Sequence, residues 1–167
     1  RVHSDITPLH TNITVELKGF FPCNKCKACK FSSKRVTYKI PWSGQFRPIS
    51  DFFTCTSQFV VYALECPCGK LYIGSTIHQA KKRVLEHMRA IDNKDPQYPM
   101  ARHFDQIHFG DRFKLSYFII DQVKQTHRGG NRTLKLRRLE SRYIFDLETK
   151  APRGWNTEEE LRVHLGD

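Results

Sequence analysis

Cys23, Cys26 and Cys29 are separated by two residues each, and Cys55 follows 26 positions later. Thiols crowded this way suit thiolates converging on a metal better than pairwise cross-linking, so these four predict an all-cysteine zinc site. Cys66-Pro67-Cys68-Gly69, joined by His103 and His108 with four residues between them, forms a second plausible tetrahedral set. His78, His87 and His127 are possible substitutes as ligands. Ordinary readings stand beside these: six cysteines could form three disulfides in a secreted protein, or be reduced surface thiols.

A second group of residues could handle protons and charge. Glu140 lies four residues after Leu136 and four before Ile144, close to the apolar stripe of its own helix, where a carboxylate needs a partner. An arginine salt bridge is the plain answer, and a metal or catalytic role the sharper one. Arg83 and His87 are four apart and project together from one helix face, which solvent exposure would equally explain. Tyr62 and Tyr72 could be ordinary strand residues. Taken singly, none of these decides anything.

The elements that must position them are legible from periodicity. Phe59 to Leu64 is β-branched and aromatic, Pro67 and Gly69 mark a turn, and Lys70 to Gly74 returns, which predicts a hairpin. Ala80, Val84, Leu85, Met88 and Ile91 recur at helical spacing over residues 78–91. After Pro96 and Pro99 a short helix is expected from Met100 to His108, ended by Gly110. Phe113, Leu115, Tyr117 and Ile119 alternate with polar neighbours and predict a third strand over 112–121. Leu136, Leu139, Tyr143, Ile144 and Leu147 define a helix over 131–148, and a last short helix is expected from Thr157. The stretch with Pro41, Gly44 and Pro48 reads as loop.

The chain of 167 residues can hold one domain with a sizeable core and a small attached module, which excludes a large second domain. The expected division is a tail or linker over 1–18, a basic cysteine-rich zinc module over 19–57 and a second domain over 58–167. From Lys18 to Lys39 there are seven basic residues and no acidic one. Overall, 28 Lys and Arg against 17 Asp and Glu give +11, which points to an acidic partner such as nucleic acid. No apolar run approaches the roughly 18 residues a membrane helix needs, so no membrane partner is expected. The chain starts with Arg and without an apolar signal core, as an excised part of a longer chain would. Two Asn-x-Thr triplets, at Asn12 and Asn131, are too short to carry weight.

Read in order, the polar residues resemble the GIY-YIG nucleases. Val60-Val61-Tyr62 and, ten residues on from tyrosine to tyrosine, Leu71-Tyr72-Ile73-Gly74 look like the paired strands that give that family its name. The second motif matches as written, whereas the first has Val60 and Val61 in place of Gly-Ile and keeps the tyrosine. Arg83 and His87, then Glu140, then Asn156 within Gly154-Trp155-Asn156 continue the pattern. The resemblance implies an α+β fold, with a small three-stranded antiparallel sheet flanked by helices behind the N-terminal zinc-binding module. It also implies a shallow catalytic site. There Glu140 would hold one Mg²⁺ (or Mn²⁺) and Arg83 would offset charge on the phosphate. Tyr62 or Tyr72 would position or deprotonate the attacking water, and His87 would relay a proton or protonate the leaving oxygen. Asn156 would fix the site.

Cysteines in the hairpin and histidines downstream are further similar to the endonuclease domain of Penelope-like retroelements, a likeness covering roughly residues 20–156. It implies a nickase of double-stranded DNA that leaves a 3′-hydroxyl, with a reverse transcriptase and its RNA as partners in the same polyprotein and a nuclear location. Lys25, Lys27, Lys30, Lys34 and Arg35 would then grip phosphates beside the cut, with Arg132, Lys135, Arg137 and Arg138 as a second surface. The alternative from another class is a non-catalytic, zinc-dependent nucleic-acid-binding module on the same scaffold.

Overall fold

A computed structural model of the chain describes residues 15–127 and 129–158. The cysteine-rich lead-in is built from two small sheets: β1 (Gly19–Phe20) runs parallel to β4 (Phe52–Phe53), and β2 (Thr37–Lys39) pairs antiparallel with β3 (Phe46–Pro48). A short 3₁₀ helix, Lys27–Phe31, carries Cys29. The stretch expected as loop is thus a hairpin. Pro41 and Gly44 occupy its connection, and Pro48 ends its second strand, where a missing N–H is tolerated.

The larger sheet contains β5 (Val60–Glu65), β6 (Leu71–Thr76) and β7 (Ser116–Gln122), all antiparallel, in the order β6-β5-β7. Between β6 and β7 come α1 (Ala80–Asp92) and α2 (Pro99–His108), and α3 (Arg132–Asp146) follows β7. The described residues thus form an α+β fold with three α-helices, a three-stranded antiparallel sheet and small accessory sheets. No helix among them is long and apolar enough to cross a membrane.

Two expected boundaries are corrected. Residues 112–114 form a 3₁₀ turn rather than strand, because the Asp111 carboxylate accepts from Phe113 N at 3.1 Å and closes the turn. Strand β7 therefore starts at Ser116, and Phe113 stays exposed. The polar alternation expected for β7 also fails, since Tyr117, Phe118, Ile119 and Ile120 are all buried. Both faces of this strand are covered, in part by Phe20 against Tyr117 (5.2 Å) and Tyr38 against Phe118 (6.0 Å). Asn131, expected inside the last helix, is its N-cap, accepting from Leu134 N at 2.9 Å. The short helix expected from Thr157 lies, past Glu158, outside the described residues, as do Asn12 and most of the expected tail.

Strand alternation decides what each face presents. Tyr62 pairs with Gly74 and Leu64 with Tyr72, so both tyrosines share the face on which α1 packs through His87. Ala63 pairs with Phe118, putting the β2–β3 hairpin and Arg35 on the opposite face. Phe20, Ala28, Phe31, Tyr38, Ile40, Ile49 and Phe53 of the lead-in join β5, β6 and β7 in one continuous core.

Candidate active site and metal centres

Tyr62, from the middle of β5, is 1% exposed, and its hydroxyl lies 2.8 Å from His87 Nε2 on α1. Its ring crosses the β6 backbone at Gly74, where a Cβ would sit 2.4 Å from the Tyr62 oxygen and 2.9 Å from Tyr72 Cε1. Only glycine leaves room for both rings. Tyr72 and Tyr98 meet the His87 ring edge-on, at centroid distances of 5.4 and 5.8 Å. Tyr98, just before α2, is a wall that sequence reasoning missed, since no periodicity marks a residue outside an element.

His87 is 3% exposed, and its pKa is pushed down from 6.5 to about 3, first by burial and then by the Arg83 charge. The imidazole is therefore neutral at pH 7. Arg83 sits one turn earlier, half-buried and paired with Glu86 at 2.6 Å. Burial opposes its charge, but the Tyr62 oxygen and the Glu86 carboxylate beside it outweigh this and keep the guanidinium firmly protonated. Arg83 donates toward the Tyr62 oxygen, which directs the Tyr62 proton to His87 Nε2. His87 Nδ1 then carries the ring hydrogen, buried and without a hydrogen-bond partner among the described residues.

Glu140 on α3 accepts from Ser75 Oγ at 2.8 Å, one residue beyond Gly74. Ser75 was not expected; the contact joins residues 65 positions apart on different elements. Asn156 is fully buried and acts on the free edge of β6. Its Oδ1 accepts from Ile73 N (2.9 Å) and Thr149 Oγ1 (2.8 Å), and its Nδ2 donates to Ile73 O (2.7 Å). The carboxamide thus serves as one rung of a missing neighbouring strand, between Tyr72 and Gly74.

The two cysteine and histidine sets converge as their spacing suggested. In each, the ligand atoms all lie within 4.8 Å of one another. Cys29 Sγ is 3.6 Å from Cys23 Sγ, 3.5 Å from Cys26 Sγ and 3.6 Å from Cys55 Sγ. A tetrahedron of zinc–sulfur bonds would have edges of about 3.8 Å. Donors are already aimed at Cys55: Tyr117 Oη at 3.0 Å and Cys23 N at 3.4 Å, as outer groups around a thiolate should be. In the second set Cys66 Sγ lies 2.8 Å from His108 Nε2, 3.1 Å from His103 Nε2 and 2.9 Å from Cys68 Sγ. Burial and the neighbouring thiols push Cys26 and Cys66 up to about 12, so each keeps its proton at pH 7 unless a cation displaces it. Burial, aided by His108 and Lys70, holds His103 down to about 4, as a neutral ligand. Both sets could hold zinc, and neither includes His78, His87 or His127.

The chain matches no family model, curated protein or solved structure. Its basic residues divide by environment. Lys25, Lys27, Lys30 and Lys34 are exposed around the first thiol set, as are Lys135, Arg137 and Arg138 on α3. Arg35 is instead held by Glu65 at 2.7 Å and stacked 4.1 Å over Phe118, which gives it a packing task. Arg132 donates to Val123 O at 2.8 Å and lies 3.8 Å over Phe59.

Proposed function

We propose that this chain is a GIY-YIG-type endonuclease, resembling that of Penelope-like retroelements, which nicks double-stranded DNA. The observation that carries the reading is the convergence of Tyr62, Tyr72, Arg83 and His87 on one sheet face, with Tyr62 hydrogen-bonded to His87. The half-buried Glu140 carboxylate, oriented by Ser75, suits a hard divalent cation and would hold Mg²⁺ or Mn²⁺. That ion, when bound, supplies positive charge to the phosphate oxygens.

Hydrolysis adds a water oxygen to phosphorus and breaks the bond to the 3′ oxygen; one proton leaves the water, and the departing oxygen takes one from solvent. We assign Tyr62 the base role on its hydrogen bond with His87. Arg83 stabilises negative charge on the Tyr62 oxygen, and the proton passes on to neutral His87 Nε2. The phosphate's own charge favours that protonation. Arg83 also offsets charge on the five-coordinate phosphorus, and Tyr72 completes the pocket wall. Zinc at the two clusters braces the frame. The exposed lysines around the first cluster supply affinity with little sequence choice.

The product would carry a 3′-hydroxyl, which a reverse transcriptase of the same polyprotein extends on its RNA in the nucleus. A nicked plasmid made by this protein should be extended by a DNA polymerase without phosphatase treatment. Nicks that become extendable only after phosphatase would contradict the assigned bond cleavage.

A further inference from the structure

Beside the candidate site lies a cavity of about 750 Å³ that the proposed chemistry does not use. Its wall includes Lys70, Pro99, Arg102, Gln106, Ile107 and Trp155, and among the described residues no Asp or Glu lines it. Three of its members adjoin the site through the chain. Lys70 is two residues before Tyr72, Pro99 follows the Tyr98 that packs on His87, and Trp155 precedes the Asn156 that holds Ile73.

Trp155 is the platform of this cavity. The His103 ring packs on it at 3.8 Å and 36°, and Lys70 Nζ lies over the ring 4.7 Å from its centre, so a stacking base takes the place of that ammonium. His103 also belongs to the second cysteine and histidine set, so the platform is anchored to the β5–β6 turn. Arg102 is exposed on α2 and forms no ion pair among the described residues, leaving its guanidinium free for an anion. An aromatic face, an apolar wall and uncompensated cations are what a nucleotide needs: a surface for the base and charge for the phosphate. The volume lies in the range of roughly 300 to 1,000 Å³ that holds a small ligand, far below a turn of duplex.

We infer that this cavity binds an unpaired nucleotide of the DNA strand beside the cut, its base stacked on Trp155 and its phosphate held by Arg102 and Lys70. The inference rests on the nuclease reading for the identity of the strand. The cavity's preference for a single-stranded nucleotide is measured without cleavage.

The test uses the full, zinc-loaded chain carrying Trp42→Phe, which leaves Trp155 as the only tryptophan. Trp42 is exposed, does not line the cavity, and its indole N–H donates to Asp146 O at 3.1 Å. Tryptophan emission is titrated, without divalent cation, with oligothymidylate, with an abasic phosphodiester of equal length, with blunt duplex and with oligoglutamate. Saturable quenching of about half the emission by oligothymidylate, at least tenfold weaker for the abasic chain, is expected. Adding Arg102→Glu and Gln106→Glu, both on the exposed side of α2, should weaken it a further tenfold at unchanged zinc content. Equal quenching by the abasic chain or by oligoglutamate would overturn base stacking, and quenching by duplex alone would make the cavity part of the duplex surface. No quenching, with plasmid nicking intact, would sink this inference and leave the nuclease reading standing. Quenching without nicking would do the reverse.

Discussion

At Gly74 a methyl group would lie 2.4 Å from the Tyr62 oxygen, closer than real Cβ contacts come, and the ring cannot retreat because Tyr62 is only 1% exposed. Gly74→Ala should therefore push Tyr62 off His87. Cleavage should fall by about 100-fold and stability by about 1 to 3 kcal/mol, as overpacking commonly costs. Denaturant unfolding beside a nicking time course would measure both. His87 gives a second expectation at this scale. Its folded pKa of about 3 lies below the unfolded value of 6.5, so between these pH values the unfolded chain takes up a proton that the folded chain refuses. The stability from keeping His87 neutral is full above pH 6.5 and is lost as pH falls toward 3, with a slope of about 1.4 kcal/mol per pH unit. Unfolding titrations at pH 7, 6, 5 and 4 should show His87→Gln losing less stability than the native chain. Parallel losses in the two proteins would refute a buried neutral imidazole. Ser75 and Tyr98 were not legible beforehand, because their partners are set by packing between distant elements. The tyrosines, Arg83, His87 and Glu140 stood out by type and order.

The β5–β6 hairpin is the element on which the account depends. Its turn carries Cys66 and Cys68, its free edge is held by Asn156 at Ile73, and Tyr72 lies between these supports with Tyr62 one pair beyond the second. Removing metal from the second cluster should loosen the hairpin from the turn inward. Cys66→Ser should lower nicking at least tenfold and reduce bound zinc from two per chain to one, as read by elemental analysis. Unchanged zinc content would show that Cys66 is not a ligand. The hairpin, α1, α2 and α3 were legible because their apolar periods are long and bounded by Pro, Gly or Asn. The start of β7 was misread because Phe113 and Leu115 extend the strand alternation into a segment that Asp111 turns into a 3₁₀ helix. The β2–β3 hairpin was hidden by Pro41, Gly44 and Pro48, ordinary loop signals that here sit in a hairpin connection and at a strand end.

Across the whole molecule, the cysteine-rich lead-in and the three-stranded sheet share one core, so the first thiol cluster is fixed relative to the tyrosine face. Tyr117 links them directly: its ring packs on Phe20, and its hydroxyl reaches Cys55 from β7 of the three-stranded sheet. With a net charge of +11, affinity for DNA should be dominated by phosphate contacts, whether or not the strand is cut. Binding therefore cannot distinguish an enzyme from a passive DNA-binding module; cleavage can. The decisive measurement is incubation of zinc-loaded protein with supercoiled plasmid and Mg²⁺, comparing the native chain with Glu140→Ala at matched DNA affinity. Conversion to nicked circles by the native chain alone, and only with the divalent cation, is the result predicted. Intact supercoiled plasmid with folded native protein, or equal nicking by both proteins, would contradict the account.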